Sequence, residues 1–179
     1  MLEEGPFVLW LTGLSGAGKS TIAGLLDVQL RESGHHVFNL DGDVVRTGLN
    51  SDLGFSLEDR HENIRRIAEV ARVLYLAHVS VIVSAISPIA EGRAFARSVI
   101  PEGRFIEIFV DAPLEIVEAR DPKGLYQRAR RGELSDFTGI GSPYEAPTEP
   151  DVHVDTQALT PEESVELILT ALATRFPPN

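Results

Sequence analysis

Apolar and polar residues follow two alternating periods along this chain. Residues 7–12 form a short apolar run with aromatic and β-branched members, closed by Gly13, which predicts a buried strand. Over 20–32 the spacing becomes helical, with Ile22, Ala23, Leu25, Leu26 and Leu30 on one side and Gly34 as a stop. The two patterns then alternate, with strands expected at 36–40, 79–86, 105–110 and 151–156. Helices are expected at 58–78, at 91–100, briefly from Pro113, and from the Thr160-Pro161-Glu162-Glu163 start to about residue 175. The 79–86 run is the most apolar and reads as central to a sheet covered on both faces.

Strands that alternate with helices predict an α/β fold: a three-layer sandwich with a mostly parallel five-stranded sheet and helices on both faces, joined by right-handed crossovers. Neither a repeat nor a linker interrupts it, so 1–179 reads as one domain. Residues 121–150 break the alternation, with a basic helix-like piece at 125–131 followed by Gly, Ser and Pro residues and few core candidates. Long irregular segments in compact domains are often lids or binding loops. A plain surface excursion is the alternative.

Composition narrows the classes. Hydrophobic residues make up 43% and charged residues 24%, as in ordinary globular chains. No apolar run reaches the roughly 20 residues that span a bilayer, and residues 1–6 carry two acids and no base, unlike a secretory signal. With no cysteine, disulfides, thiolate metal sites and cysteine nucleophiles are excluded. The expectation is a cytoplasmic protein without a membrane partner. A net charge of −11 weighs against a nucleic-acid partner. Yet 13 of the 16 basic residues lie between Arg46 and Arg131, a concentration suited to a small anion or to solvated helix faces. Only two bases are lysine, Lys19 and Lys123, and lysine is not interchangeable with arginine at a phosphate.

Lys19 lies in Gly13-Leu14-Ser15-Gly16-Ala17-Gly18-Lys19-Ser20, which matches the phosphate-binding pattern G-x-x-x-x-G-K-[ST] between a predicted strand and a predicted helix. Glycines let the backbone curl so that N–H groups of this loop and of Thr21 after it can face phosphate oxygens. The helix N-terminus adds partial positive charge. Lys19 suits the β/γ-phosphates, and the Ser20 hydroxyl suits Mg²⁺. This makes the fold P-loop NTPase-type. Neither lysine stands in an N-K-x-D guanine-reading motif, so ATP is the expected donor.

On the acceptor side, Asp41-Gly42-Asp43 follows the second predicted strand, where carboxylates would face the phosphate loop. Asp41 or Asp43 could hold Mg²⁺ or its water, or accept a hydroxyl proton; a turn with a helix cap is the other reading. Then come Arg46, Asn50, Phe55, Arg60, Asn63 and Arg66. Arg60, Asn63 and Arg66 share a helix face by their spacing of three, which could clamp an anionic acceptor or could form surface ion pairs with Asp59 and Glu62. Phe55 and Phe137 sit in polar loops beside glycines rather than at core periods. These residues leave open a P-loop kinase for a sugar, a shikimate-like acid or a nucleoside monophosphate, and a nucleotide-binding regulator without turnover.

The runs G-L-S-G-A-G-K-S, L-D-G-D-x-x-R-x-G-L-N-x-D-L-G-F, D-R-x-E-N-I-R-R, A-I-S-P, A-R-D-P-K-G-L-Y and F-T-G-I-G-S-P-Y-E-A-P, in this order, resemble the adenylylsulfate kinases. The resemblance implies transfer of the γ-phosphoryl of ATP to the 3′-hydroxyl of adenylylsulfate, with Mg²⁺. It implies that Asp41 is the metal-linked or basic carboxylate, and that Asp43, Arg46, Asn50, Arg60 and Asn63 surround the acceptor. Phe55 and Phe137 would stack on its adenine. Lys123 would reach the reacting phosphates and Arg120 the ATP base, with Leu125 nearby. Ile86 and Ser87 would contact the acceptor; Ser87 matches a serine proposed in some members as a phosphorylated intermediate, which direct in-line transfer does not require. The resemblance further implies a homodimer and a functional link to an ATP sulfurylase. Two positions depart from the family pattern: Val44 after D-G-D, and the run Ile89 to Ala94, where one expected arginine is missing.

Overall fold

The computed structural model describes residues 5–177; residues 1–4, part of the stretch expected to be unlike a signal, lie outside the described residues. Five strands form one sheet: β1 (Val8–Thr12), β2 (Val37–Asp41), β3 (Ser80–Ser84), β4 (Phe105–Asp111) and β5 (Val152–Asp155). Their order is β2-β3-β1-β4-β5 and every pairing is parallel, where a mostly parallel sheet was expected.

Strand alternation divides the core. Leu9 and Leu11 of β1 face one side with Ile82, Ile106 and Ile108, and there they meet α1 (Lys19–Glu32) and α7 (Pro161–Arg175). Val8 and Trp10 face the other side with Val81, Val83 and Phe105, against α3 (Leu57–Leu76) and α4 (Ala90–Ser98). The apolar stripes at Ile22, Leu26 and Leu30 and at Ile64, Ile67 and Ala71 are buried. Each large apolar side chain so buried stabilises by about 1.5–3 kcal/mol. Ser56 caps α3 by accepting the Asp59 N–H, and α7 carries the expected capping box between Thr160 and Glu163.

Three short helices frame the site: α2 (Gly42–Arg46), α5 (Leu114–Arg120) and α6 (Leu125–Arg130). The sequence did not predict α2 as a helix, because five residues are too few for a period to register. The connection after β1 heads towards β2 and the one after β3 heads towards β4. A crevice therefore opens between these adjacent strands beyond their carboxyl ends, the position where ligands bind in such sheets. No helix among the described residues is long and apolar enough to cross a membrane.

Candidate active site

The phosphate loop leaves β1 beneath a close contact. Gly13 has φ 151°, and a Cβ there would lie 2.2 Å from the Val110 carbonyl oxygen of β4, so only glycine fits. Gly18, with φ 106°, is the N-cap of α1 and turns the loop N–H groups toward the crevice. Lys19 is 9% exposed and folds back over the loop, its Nζ donating to the carbonyls of Gly13 (2.8 Å) and Leu14 (2.7 Å). Gly13 and Leu14 thus underlie the loop, while Ser15, Gly16, Ala17, Gly18, Ser20 and Thr21 line the cavity. Burial lowers the Lys19 pKa to about 8, aided by the nearby Lys123 charge and opposed by Asp43 and Asp41.

Asp41 closes β2 and lies directly behind this loop. Its Oδ2 accepts from the hydroxyls of Ser20 (2.8 Å) and Ser84 (3.0 Å), and its Oδ1 from the backbone of Asp43 (2.8 Å) and Val44 (3.4 Å). The helix-cap and site readings therefore hold together: the residue caps α2 and reaches the phosphate loop. Burial pushes its pKa up, but the hydrogen bonds from Ser20, Asp43, Ser84 and Val44 outweigh it and hold the carboxyl below its usual range. The Ser20 hydroxyl and one Asp41 carboxylate form a hard, all-oxygen donor pair. That suits Mg²⁺ completed by phosphates and water.

The opposite wall of the cavity rises from α2 and α3. Arg46 lies over the Phe55 ring at 4.6 Å and donates to the carbonyls of Leu53 (3.3 Å) and Gly54 (3.0 Å). Phe55 is 58% exposed, so its loop setting is as expected rather than folded into the core. Asn63 and Arg60 line the cavity, with Arg60 donating to the Phe55 carbonyl (2.9 Å), the Thr138 hydroxyl (2.6 Å) and the Asp136 carbonyl. Arg60 therefore ties α3 to the 121–150 segment.

Two of the candidate residues, Asn50 and Arg66, lie outside the cavity wall, and Ser87 lies in the wall with its hydroxyl engaged behind it. Asn50 is fully buried and outside the cavity wall; its Nδ2 donates to the Asn63 Oδ1 at 2.9 Å, so it orients Asn63 from behind. Arg66 shares the Arg60 face in sequence, yet its guanidinium is bound by Asp52 (2.7 Å) and Glu62 (2.8 Å). Ser87 is 1% exposed, and its hydroxyl accepts the Trp10 indole N–H at 3.0 Å. That bond satisfies a buried indole and leaves the hydroxyl committed to the core. Ile86 and Ser87 both line the cavity, and the Ile86 carbonyl accepts from the Thr12 hydroxyl at 2.7 Å.

The segment after α5 covers the crevice. Arg120 donates to the Thr156 carbonyl (2.7 Å) and hydroxyl (3.1 Å) at the cavity edge. Lys123 pairs with Asp43, and Leu125 and Phe137 line the wall. Tyr126, which sequence reasoning passed over within the R-D-P-K-G-L-Y run, is 1% exposed and donates its hydroxyl to the Ser15 carbonyl at 2.9 Å. Phe137 meets the Tyr126 ring edge-on at 4.9 Å. Farther along, Gly141 crosses so close that a Cβ would lie 1.9 Å from the Ser135 carbonyl oxygen.

These walls enclose one cavity of about 1230 Å³. A parallel sheet with a phosphate loop at its crevice, a lysine on that loop and a hydroxyl–carboxylate pair beside it defines a P-loop phosphotransferase. Residues 5–155 match the family described as adenylylsulphate kinase. The chain is 54% identical over 173 residues to the adenylyl-sulfate kinase of Marinobacter nauticus, covering 97% of this chain and 87% of that relative. It is likewise 54% identical over 167 residues to the bifunctional enzyme CysN/CysC of Xylella fastidiosa, covering 93% of this chain and 27% of that one. Among solved structures it resembles the Mycobacterium tuberculosis APS kinase CysC in complex with AMPPNP and APS, with TM-score 0.89 and 46% identity over 95% of this chain and 98% of that one. The chain belongs to the adenylylsulphate kinase family.

Proposed function

We propose that the two ends of the cavity hold the two substrates of a single in-line transfer. The chain transfers the γ-phosphoryl group of ATP to the 3′-hydroxyl of adenylylsulfate, giving 3′-phosphoadenylylsulfate and ADP. One observation carries the two-ended reading. The cavity of about 1230 Å³ has the phosphate loop at one end and Arg46, Phe55, Arg60 and Asn63 at the other. It exceeds the roughly 300–1,000 Å³ of a pocket for one small ligand.

At the donor end, the N–H groups from Ser15 to Thr21 cradle phosphate oxygens and Lys19 leaves its carbonyl partners for the β/γ-phosphates. Ser20 and Asp41 would hold Mg²⁺, which would supply neutralisation of the phosphate charge. The depressed pKa of Asp41 favours this holding role over proton abstraction, since a base works best with a pKa near the operating pH. At the acceptor end, Arg46 and Arg60 take the anionic sulfate–phosphate group and Asn63, held by Asn50, takes ribose or base polar atoms. Phe55 and Phe137 sandwich the adenine. Lys123 exchanges its Asp43 partner for the transferring phosphoryl group. Arg120 flanks the ATP base. The Ser87 hydroxyl takes no covalent part.

The assay is ADP release with Mg-ATP and adenylylsulfate, with the nucleotide product identified by mass. Acceptor-dependent ADP release with the 3′-phosphorylated product is expected; ATP binding without it would sink the reading. The protein further acts in the cytoplasm as a homodimer, which light scattering would test against a monomer or higher assembly. The bifunctional relative supports a link to the enzyme that makes adenylylsulfate, an ATP sulfurylase.

A further inference from the structure

The far end of the 121–150 segment is anchored by a buried arginine that the transfer itself does not use. Arg93 on α4 is 4% exposed, and its guanidinium reaches three separate strands of chain. Nε donates to Glu107 of β4 at 2.8 Å, one Nη to the Ser87 carbonyl at 2.7 Å, and the other Nη to the Glu145 carbonyl at 2.7 Å. Glu145 answers with two contacts to the same wall. Its N–H donates to the Pro88 carbonyl at 2.8 Å, and its carboxylate accepts the Ala90 N–H at 2.7 Å, capping α4 where Ile89 offers no side-chain cap. One residue earlier, Tyr144 pairs its hydroxyl with Thr12 at 2.9 Å, the last residue before the phosphate loop.

The returning end of the lid is thereby fastened to the segment after β3, and that segment, Ile86 to Pro88, forms part of the cavity wall. The other end is held by Tyr126 on Ser15, and the middle by Arg60 on Thr138. Only a planar fork with donors in fixed directions can serve a carboxylate and two carbonyls at once; an ammonium on a flexible stem cannot. The Glu107 carboxylate compensates the buried charge, so the cation is retained where its donors are needed.

We propose that Arg93, with Glu145, is a positioning pair for the acceptor. It sets the register between the lid's returning end and the Ile86–Pro88 wall, so that Phe137, Thr138 and that wall close on adenylylsulfate together. This rests on the two-ended reading of the cavity. The pair touches neither substrate, and its loss changes acceptor recognition ahead of ATP recognition, because the phosphate loop is built from local backbone.

The test compares Arg93→Lys and Glu145→Gln with wild type by steady-state kinetics and by hydrogen exchange of amides 134–142. Arg93→Lys is expected to raise the KM for adenylylsulfate by about tenfold, the scale of one charge-assisted hydrogen bond, with the KM for ATP within about twofold. Glu145→Gln is expected to act in the same direction, more weakly. Both should speed exchange in the lid without ligand. If wild type turns over adenylylsulfate and neither variant changes the ratio of the two KM values, or both KM values rise together, the proposal is overturned. Should Arg93→Lys fail to fold, the surface variant Glu145→Gln decides by the same ratio. A wild type inactive with adenylylsulfate would instead overturn the reading of the reaction.

Discussion

The two ends of the cavity are built by different means. The donor end comes from one continuous stretch, Gly13 to Thr21, whose shape is enforced by glycine conformations and a helix start. Its lysine is buried and bound to the loop's own carbonyls. The opposite end is assembled from α2, α3, the Ile86–Pro88 wall and the 121–150 segment, joined by side chains up to 80 residues apart in sequence, such as Lys123 with Asp43. Its aromatic Phe55 is exposed, and its arginines hold backbone carbonyls that a ligand can replace. The phosphate-loop backbone is thus shaped by local conformation, and the opposite end is held by contacts between segments distant in sequence. Local stability differences of this kind accompany binding loops generally.

The sharpest way to break the contrast is Lys19→Met. Turnover should fall by about 1000-fold, the scale of a lost electrostatic contact to the transferring group. The melting temperature should hold or rise, because a desolvated cation is removed. Kinetics and a thermal scan on one sample check both, and a marked loss of stability would mean the lysine serves the fold. Asp41→Asn comes next, with kcat reduced by about 100-fold while ATP affinity, measured by calorimetry, changes only a few-fold. An unchanged kcat would remove its role.

Phe55→Ala probes the other end. The KM for adenylylsulfate should rise by about tenfold, as expected for about 1–3 kcal/mol of base stacking, with the KM for ATP steady. Equal effects on both substrates would contradict the division of the cavity. The smallest effect is in pH. Burial sets the Lys19 pKa to about 8 in the free enzyme, so the charged form falls away as pH rises through that value. The kcat/KM for ATP should decline above about pH 8, by up to tenfold per unit. The ligand-free fold should change the opposite way. The folded-state pKa lies below the unfolded value of 10.5, so the unfolded chain binds more protons across that window and stability rises with pH there.

The order of strands and helices was legible because burial imposes its period on neighbouring residues. The stripe of α3 and the run of β3 are examples. What escaped was short or distant. α2 has too few residues for a period, although a helix cap at Asp41 was one of the two readings of that position. Ser87 was read only as an acceptor contact, and nothing near it in sequence showed that Trp10, 77 residues away, donates its indole N–H to the Ser87 hydroxyl. Tyr126 and Arg93 lie on helices with no local sign of what they bind.

By itself, then, the sequence determined the phosphate loop. The positive φ values at Gly13 and Gly18 are conformations that glycine adopts by its own sterics, and the Val110 carbonyl of β4 adds a second reason for glycine at Gly13. Only the tertiary structure decided which of the arginines face the cavity. Arg60 and Arg66 lie two spacings of three apart on one helix; Asp52 and Glu62 hold the second on the surface, while Asp136 and Thr138 of the 121–150 segment draw the first across the cavity. The charge is identical at both positions. The partners that direct it are supplied by the fold, and helical spacing carries no information about them.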